Sequence, residues 1–118
     1  MSGDEAARAV FDPAAFELQT GGDADLRAEI IGMFLEDCPM RVEEIRAAVV
    51  AGDAPALVSS AHALKGSAAY LSASIVRGRA ADLERLGREG NLADAPRVLE
   101  ELDAAAAALL AELRRIAS

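Results

Sequence analysis

Aliphatic residues recur at intervals of three and four along most of this 118-residue chain, and this spacing constrains the fold more than any other feature. Such spacing places apolar side chains on one face of a helix. Alanine and leucine, two strong helix formers, supply most of the 53% hydrophobic residues, whereas aromatic residues make up only 3%. No stretch alternates β-branched or aromatic residues with polar ones, as strands do. The pattern therefore predicts an all-α fold.

Capping residues divide this pattern into five predicted helices. Aspartate stands before several helix starts, proline lies in the first turn, and glycine follows several helix ends. The predicted helices run from Pro13 to Gln19, from Ala24 to Val50, from Ala54 to Leu71, from Ser74 to Glu89, and from a start between Leu92 and Ala95 to Ile116. Because short turns join the four long helices, we expect an antiparallel up-and-down four-helix bundle with a short N-terminal helix.

A single domain accommodates the whole chain. Residues 1–10 are expected to be a flexible N-terminal segment, and residues 11–118 to form the bundle. Pro39 lies inside the first long helix, where it predicts a kink or a brief break. The apolar residues of that helix, which include Leu26 and Met33, are expected to share one buried face.

Charge and composition exclude several classes of protein. The net charge of −8 argues against a nucleic-acid partner, which requires a basic surface. The N-terminus lacks the basic and apolar regions of a signal peptide, and no apolar run is long enough to span a membrane. The single cysteine, Cys38, is expected to be a small buried hydrophobic residue. These features predict a cytoplasmic protein with no membrane partner.

The only histidine, His62, lies on the second long helix beside a lysine and a glycine. Lys65 and Gly66 follow it by three and four residues, so the three share one patch of the helix surface. The apolar stripe of the same helix lies on another side and comprises Leu57, Ala61, Leu64, Ala68 and Leu71. We therefore expect an exposed imidazole without a buried hydrogen-bonding partner.

A lone histidine is more often structural than functional, so its surroundings decide how His62 is interpreted. The residues one turn away are mostly too small to cover the ring, and this helix offers no buried partner for its nitrogens. Gly66 costs the helix roughly 1 kcal/mol relative to alanine, which suggests a use for the missing side chain. An exposed ring beside a cation and a bare glycine fits a nucleophile that a large partner must reach.

The segment His62-Ala-Leu-Lys65-Gly66-Ser67 resembles the core motif of the histidine-containing phosphotransfer (HPt) domains of two-component phosphorelays. Residues 25–37 and 47–53 resemble the helix that precedes the motif in that family. Residues 81–91 resemble the helix that follows it. The resemblance extends from about Phe11 to about Leu113, with one departure: the family usually has glycine where this chain has Ser72. If that position is left-handed, serine costs roughly 1 kcal/mol there.

The resemblance implies a role for each residue of the patch. His62 would be the phosphoacceptor, Lys65 would pair with the phosphoryl oxygens, and Gly66 would leave room for the partner's backbone. The docking surface would surround them and include parts of the preceding helix together with Val58, Ser59, Ser67 and Ala69. The protein would be a monomeric phosphoryl carrier without kinase activity of its own.

The resemblance also implies the partners. Receiver domains of response regulators, or a hybrid histidine kinase, would donate and accept the phosphoryl group. The chain would need no cofactor, because the magnesium ion and the accepting aspartate would belong to the receiver domain.

Two other functions remain open at this point. The chain could be an adaptor with the same fold that binds or sequesters a receiver domain without phosphotransfer. It could also be a hydrolytic enzyme with His62 as general base, but such a site needs a pocket and a nearby nucleophile or metal, which the sequence does not offer. The sequence also lacks the glycine-rich loop of P-loop nucleotide-binding proteins.

Overall fold

The computed structural model describes residues 3–117, and the side chains from residue 6 onward. This range contains helices and no strand, which confirms the predicted all-α class. The helices are α1 (Gly3–Val10), α2 (Pro13–Gln19), α3 (Ala24–Ala51), α4 (Ala54–Tyr70), α5 (Ser74–Glu89) and α6 (Ala95–Ala117). None of these helices is both long and apolar enough to cross a membrane. Residues 1, 2 and 118, which belong to the predicted N-terminal segment and bundle, lie outside the described part.

The predicted caps explain why the helix boundaries match the sequence expectations closely. The side chains of Asp12, Asp23 and Asp53 each accept a hydrogen bond from the backbone N–H three residues later, at 3.0–3.1 Å. Gly52 and Gly90 end α3 and α5 in the left-handed conformation, with φ of 66° and 67°. Local chemistry thus sets where these helices begin and end.

The four long helices form a closed bundle. Helix α4 packs against α3 and α5, and α6 completes the ring by packing against α5 and α3. The predicted apolar stripe of α4 is fully buried, with 0% exposure at Leu57, Ala61, Leu64, Ala68 and Leu71. Burying this stripe fixes the rotation of α4, so its opposite side faces outward.

The predicted N-terminal segment contains a further helix. Where a flexible segment was expected over residues 1–10, the structure has helix α1, which contacts α5 and α6. Val10 is partly buried against the bundle core. The contacts that hold α1 come from helices more than sixty residues away in the chain, so local sequence patterns did not reveal them.

The buried face of α3 also differs from the prediction in its first half. Leu26 and Met33, which were expected to be buried, are 39% and 63% exposed, while Ile31 and Phe34 are buried. Leu26, Ile30 and Met33 are themselves separated by four and three residues, so this half of α3 carries two apolar stripes. Periodicity alone does not say which stripe faces the core, and packing against α4 and α6 selects the one with Ile31.

Cys38 and Pro39 lie in the middle of α3. Cys38 is fully buried, as expected, and burial together with the nearby Asp37 raises the pKa of its thiol to about 11. Helix α3 continues through Pro39 without the brief break that had been allowed for. The proline is exposed, and it removes one backbone hydrogen bond from the helix.

Ser72 lies in the turn between α4 and α5 and has a left-handed backbone, with φ of 55°. This is the conformation in which serine was expected to cost stability relative to glycine. Its hydroxyl donates a hydrogen bond to Oε1 of Gln19 at 3.0 Å, which ties the turn to the end of α2. The strained residue therefore lies away from the surface that carries His62.

Candidate functional site

His62 projects from the outer side of α4, and its side chain is 64% exposed. The predicted exposure of the imidazole is confirmed. The second half of that prediction, that the ring lacks a buried partner, is wrong. Nδ1 of His62 lies 2.9 Å from Oε2 of Glu84, a residue of α5 whose side chain is only 6% exposed. The ring is thus open to solvent on one side and held by a buried carboxylate on the other.

Glu84 is buried because it lies within the apolar stripe of α5. Ala80, Leu83 and Gly87 are the buried residues that share its face at helical spacing. An acidic residue at such a position requires polar partners, since an unpaired buried charge is strongly unfavourable. The adjacent surface of α4 supplies two of those partners.

Gly87 allows α5 to approach α4 closely at this point. A methyl group added at Gly87 would lie 2.8 Å from Cγ2 of Val58 and 3.2 Å from the carbonyl oxygen of Ala54. Real side chains do not adopt the shorter of these distances, so only glycine fits here without a shift of the Val58 side chain or of α4. The close approach brings Glu84, one turn earlier on α5, within reach of His62.

Two further side chains contact the same carboxylate. Nζ of Lys65 lies 2.6 Å from Oε1 of Glu84, and Nη2 of Arg88 lies 2.6 Å from Oε2. We call Glu84 with His62, Lys65 and Arg88 the Glu84 cluster. The hydrogen bonds from Lys65 and Arg88, with a smaller one from His62, outweigh burial and lower the pKa of Glu84 from 4.5 to about 2. The carboxylate is therefore ionised at neutral pH.

The charge on Glu84 determines the tautomer of the neutral ring of His62. An ionised carboxylate only accepts hydrogen bonds, so Nδ1 must carry the proton that it donates to Glu84. The lone pair of the neutral ring then lies on Nε2. The arrangement presents Nε2 as the nucleophilic atom of an exposed imidazole.

Gly66, one turn after His62, is exposed and faces open space. A methyl group built at this position meets nothing within 4 Å. Packing within this chain therefore does not explain the glycine. The missing side chain leaves the surface beside His62 flat, which suits close approach by another molecule.

The four residues predicted to surround the docking surface lie in different environments. Ser59 is exposed, whereas Val58 is half-buried against Gly87 of α5. Ser67 donates a hydrogen bond to the carbonyl of Ala63 at 3.2 Å, and so is not simply solvated. Ala69 is half-buried and lies beside residues of α2. Of these four residues, Ser59 is exposed, and Val58, Ser67 and Ala69 are half-buried.

An apolar groove runs between α3 and α4 and reaches Ser67. It has a volume of about 640 Å³. Three large exposed side chains line it, namely Met33 (63% exposed), Met40 (51%) and Tyr70 (67%). The other residues of this α3–α4 groove are Ile30, Phe34, Glu36, Asp37 and Ser67. Exposed apolar side chains grouped in this way are typical of interaction surfaces.

Comparison with known proteins identifies the family. The sequence profile of the Hpt domain matches residues 29–113, which is most of the chain and includes every member of the Glu84 cluster. The chain belongs to the Hpt domain family. A search of curated proteins found no match.

Two solved structures of Hpt proteins resemble this one. Histidine-containing phosphotransfer protein B (HptB) from Pseudomonas aeruginosa PAO1 is 26% identical, with a TM-score of 0.85 over 91% of this chain and 93% of that chain. The Hpt domain of a sensor hybrid histidine kinase from Shewanella is 18% identical, with a TM-score of 0.83 over 92% of this chain and 93% of that chain, and supports the fold. This Hpt protein therefore has a histidine phosphotransfer role in two-component signalling.

Sequence reasoning did not identify Glu84 and Arg88 as parts of the site in this Hpt domain. A signal for Glu84 was present, because it is the one charged residue among the apolar positions Ala80, Leu83 and Gly87. An acidic residue in a core stripe indicates a polar partner on a neighbouring helix. Which partner it meets depends on the packing of α5 against α4.

Proposed function

We propose that this protein accepts a phosphoryl group on Nε2 of His62 from the aspartyl phosphate of a receiver domain and passes it to an aspartate of another receiver domain. One observation carries the proposal: Nδ1 of the exposed His62 imidazole lies 2.9 Å from Oε2 of the buried Glu84, which leaves Nε2 facing outward as the nucleophile. Membership of the Hpt domain family supports the same reaction class.

The chemical step requires only a nucleophile and charge stabilisation from this chain. The lone pair of Nε2 attacks phosphorus, and the bond between phosphorus and the oxygen of the donor aspartate breaks. The aspartate leaves as a carboxylate with the electron pair of that bond. The proton stays on Nδ1 of His62, hydrogen-bonded to Glu84, and the ring gains a positive charge. Transfer to the second receiver reverses these changes.

Glu84 acts on this step through the ring. A carboxylate that accepts the Nδ1 proton fixes the ring orientation and tautomer, and stabilises the positive charge that develops on the imidazole. Lys65 lies one turn from His62, and its ammonium group can pair with the phosphoryl oxygens. Magnesium is assigned to the partner receiver domain, in line with the family resemblance.

We propose that the receiver domain docks on the surface around His62 and Gly66, with Ser59 and Ser67 at its edge, and extends over the α3–α4 groove. The groove is continuous with this surface at Ser67. The exposed Met33 and Tyr70 offer apolar area, while the flat surface at Gly66 permits close approach of a backbone. A small apolar area around a polar centre fits a transient complex.

The test uses purified receiver domains from the same cell, phosphorylated on aspartate, and follows transfer by intact mass. We expect the wild-type protein to gain a single acid-labile phosphoryl group and His62→Gln to gain none. Binding of receivers without transfer would overturn the proposal in favour of an adaptor. Phosphorylation that persists in His62→Gln would overturn the assignment of the acceptor.

A second pair of variants tests the docking surface. Met33→Glu places a charge in the α3–α4 groove, and Val50→Glu is the matched control, since Val50 is 83% exposed on the same helix but does not line the groove. We expect Met33→Glu to weaken receiver binding roughly tenfold and Val50→Glu to leave it unchanged. Equal effects of the two variants would place docking elsewhere.

A further inference from the structure

The Glu84 cluster holds more positive charge than its carboxylate requires. Lys65 contacts Oε1 of Glu84 and Arg88 contacts Oε2, both at 2.6 Å. Either cation alone would balance the charge of one carboxylate. With a neutral His62 ring, the cluster therefore contains one cation in excess before any phosphoryl group arrives.

The two cations reach Glu84 from different helices and contact different oxygens of its carboxylate, and the side chain of Arg88 is the more exposed of the two, at 62%. Lys65 lies on α4, three residues after His62, and its side chain is 35% exposed. A phosphoryl group on Nε2 would bring close to two negative charges to this patch, and Lys65 would be drawn towards its oxygens. Arg88 lies on the same helix as Glu84, four residues later, and binds the oxygen that also accepts the Nδ1 proton.

A departure of Lys65 would leave Oε1 of Glu84 without its cation. If Lys65 were the only cation on Glu84, its departure would leave this almost completely buried carboxylate with the His62 ring as its sole partner, which would weaken the charged form. A protonated Glu84 would accept the Nδ1 proton of His62 more weakly and would no longer balance a positive ring. The second cation prevents this, because Arg88 stays on Oε2 when Lys65 moves.

We propose that Arg88 is a positioning residue for phosphotransfer: it keeps Glu84 charged and seated on Nδ1 of His62 while Lys65 transfers from Glu84 to the phosphoryl oxygens. This inference rests on the proposed function, and it assigns separate tasks to the two cations. Lys65 alternates between two anions, and Arg88 remains with one. The phosphorylated state then has a cation for the carboxylate, a cation for the phosphoryl group, and a positive ring between them.

The test phosphorylates the protein with phosphoramidate, a small donor that needs no receiver domain. Nε2 of His62 attacks phosphorus, the P–N bond of the donor breaks, and ammonia leaves with the electron pair. The variants are Arg88→Gln, Arg88→Lys and the matched control Arg85→Gln. Arg85 lies on the same helix and pairs with Glu89 at 2.9 Å, but that pair is exposed and separate from the Glu84 cluster.

We expect Arg88→Gln to lower the rate of His62 phosphorylation roughly fivefold or more, Arg88→Lys to restore most of it, and Arg85→Gln to match the wild type.

¹⁵N NMR of the His62 ring gives a second readout. In Arg88→Gln the Nδ1 signal should remain near its wild-type position before phosphorylation, because Lys65 still balances Glu84. After phosphorylation, the Nδ1 signal of Arg88→Gln should differ from the Nδ1 signal of the wild-type protein.

A folded Arg88→Gln protein that is phosphorylated at the wild-type rate, with a wild-type Nδ1 signal in both states, would overturn the inference. An equal loss of rate in Arg85→Gln would overturn it as well, because a general charge effect would then be sufficient. Failure of receiver transfer in a wild-type protein that reacts with phosphoramidate would contradict the proposed function and leave the role of Arg88 standing.

Discussion

Nδ1 of His62 and Oε2 of Glu84 lie 2.9 Å apart, although the two residues are 22 positions apart in the sequence and belong to different helices. The contact joins an exposed side chain of α4 to the most buried charge of α5. It makes the reactivity of a surface histidine depend on the internal packing of the bundle.

Glu84 is expected to make stability depend on pH in the acid range. Its pKa is about 2 in the folded protein, below the ordinary value of 4.5, so its stabilisation is fully present above pH 4.5 and is lost as the pH falls towards 2. At about 1.4 kcal/mol per unit, the loss is on the order of 3 kcal/mol at most, because Lys65 and Arg88 remain partly exposed to screening solvent. Urea unfolding at pH 7, 5 and 3 measures it. Glu84→Gln should show a shallower loss, and parallel curves would contradict the prediction.

Gly66 is expected to limit stability while it permits transfer. Gly66→Ala should raise the free energy of unfolding by about 0.5–1 kcal/mol, because the added methyl group meets nothing within 4 Å. Gly78→Ala, at an equally open position on α5, should do the same. Gly66→Gln should lower receiver transfer roughly tenfold by displacing the partner, yet still react with phosphoramidate. Normal transfer by Gly66→Gln would show that the partner does not approach there.

Gly87 is expected to behave in the opposite way to Gly78, although both lie on α5. Gly87→Ala should lower the free energy of unfolding by about 1–3 kcal/mol, because its methyl group would lie 2.8 Å from Cγ2 of Val58. Thermal or urea unfolding of the two alanine variants compares them directly. A displaced α4 should also change the ¹⁵N signal of His62 Nδ1. Equal stability of the two variants would mean that α4 and α5 are less closely packed than the structure indicates.

Ser72 is expected to carry backbone strain. Ser72→Gly should raise the free energy of unfolding by up to about 1 kcal/mol, since glycine adopts a φ of 55° without penalty. Loss of the hydrogen bond to Gln19 would offset part of this gain. Ser72→Ala removes the same hydrogen bond but keeps the strain, so it should be the least stable of the three proteins in urea. A Ser72→Gly protein no more stable than Ser72→Ala would contradict the argument.

The sequence by itself determined helices α2 to α6 and the outward position of His62. Aspartate caps at residues 12, 23 and 53 act on the backbone N–H groups three positions later, so they are visible in a short stretch of sequence. The stripe that includes Leu57 and Leu64 repeats at the helical period, and its burial leaves His62 on the opposite side. Both features depend on neighbours along one helix, which is why they could be predicted.

Only the tertiary structure decided what His62 contacts. The burial of Glu84, its cations from two helices, and the choice between the two apolar stripes of α3 all depend on how far one helix is rotated and how closely it approaches the next. A missing methyl group at Gly87 sets the approach of α5 to α4. Periodicity gives the face of each helix, but not the depth at which neighbouring faces meet. Because α5 packs this closely against α4, the exposed His62 contacts the buried carboxylate of Glu84.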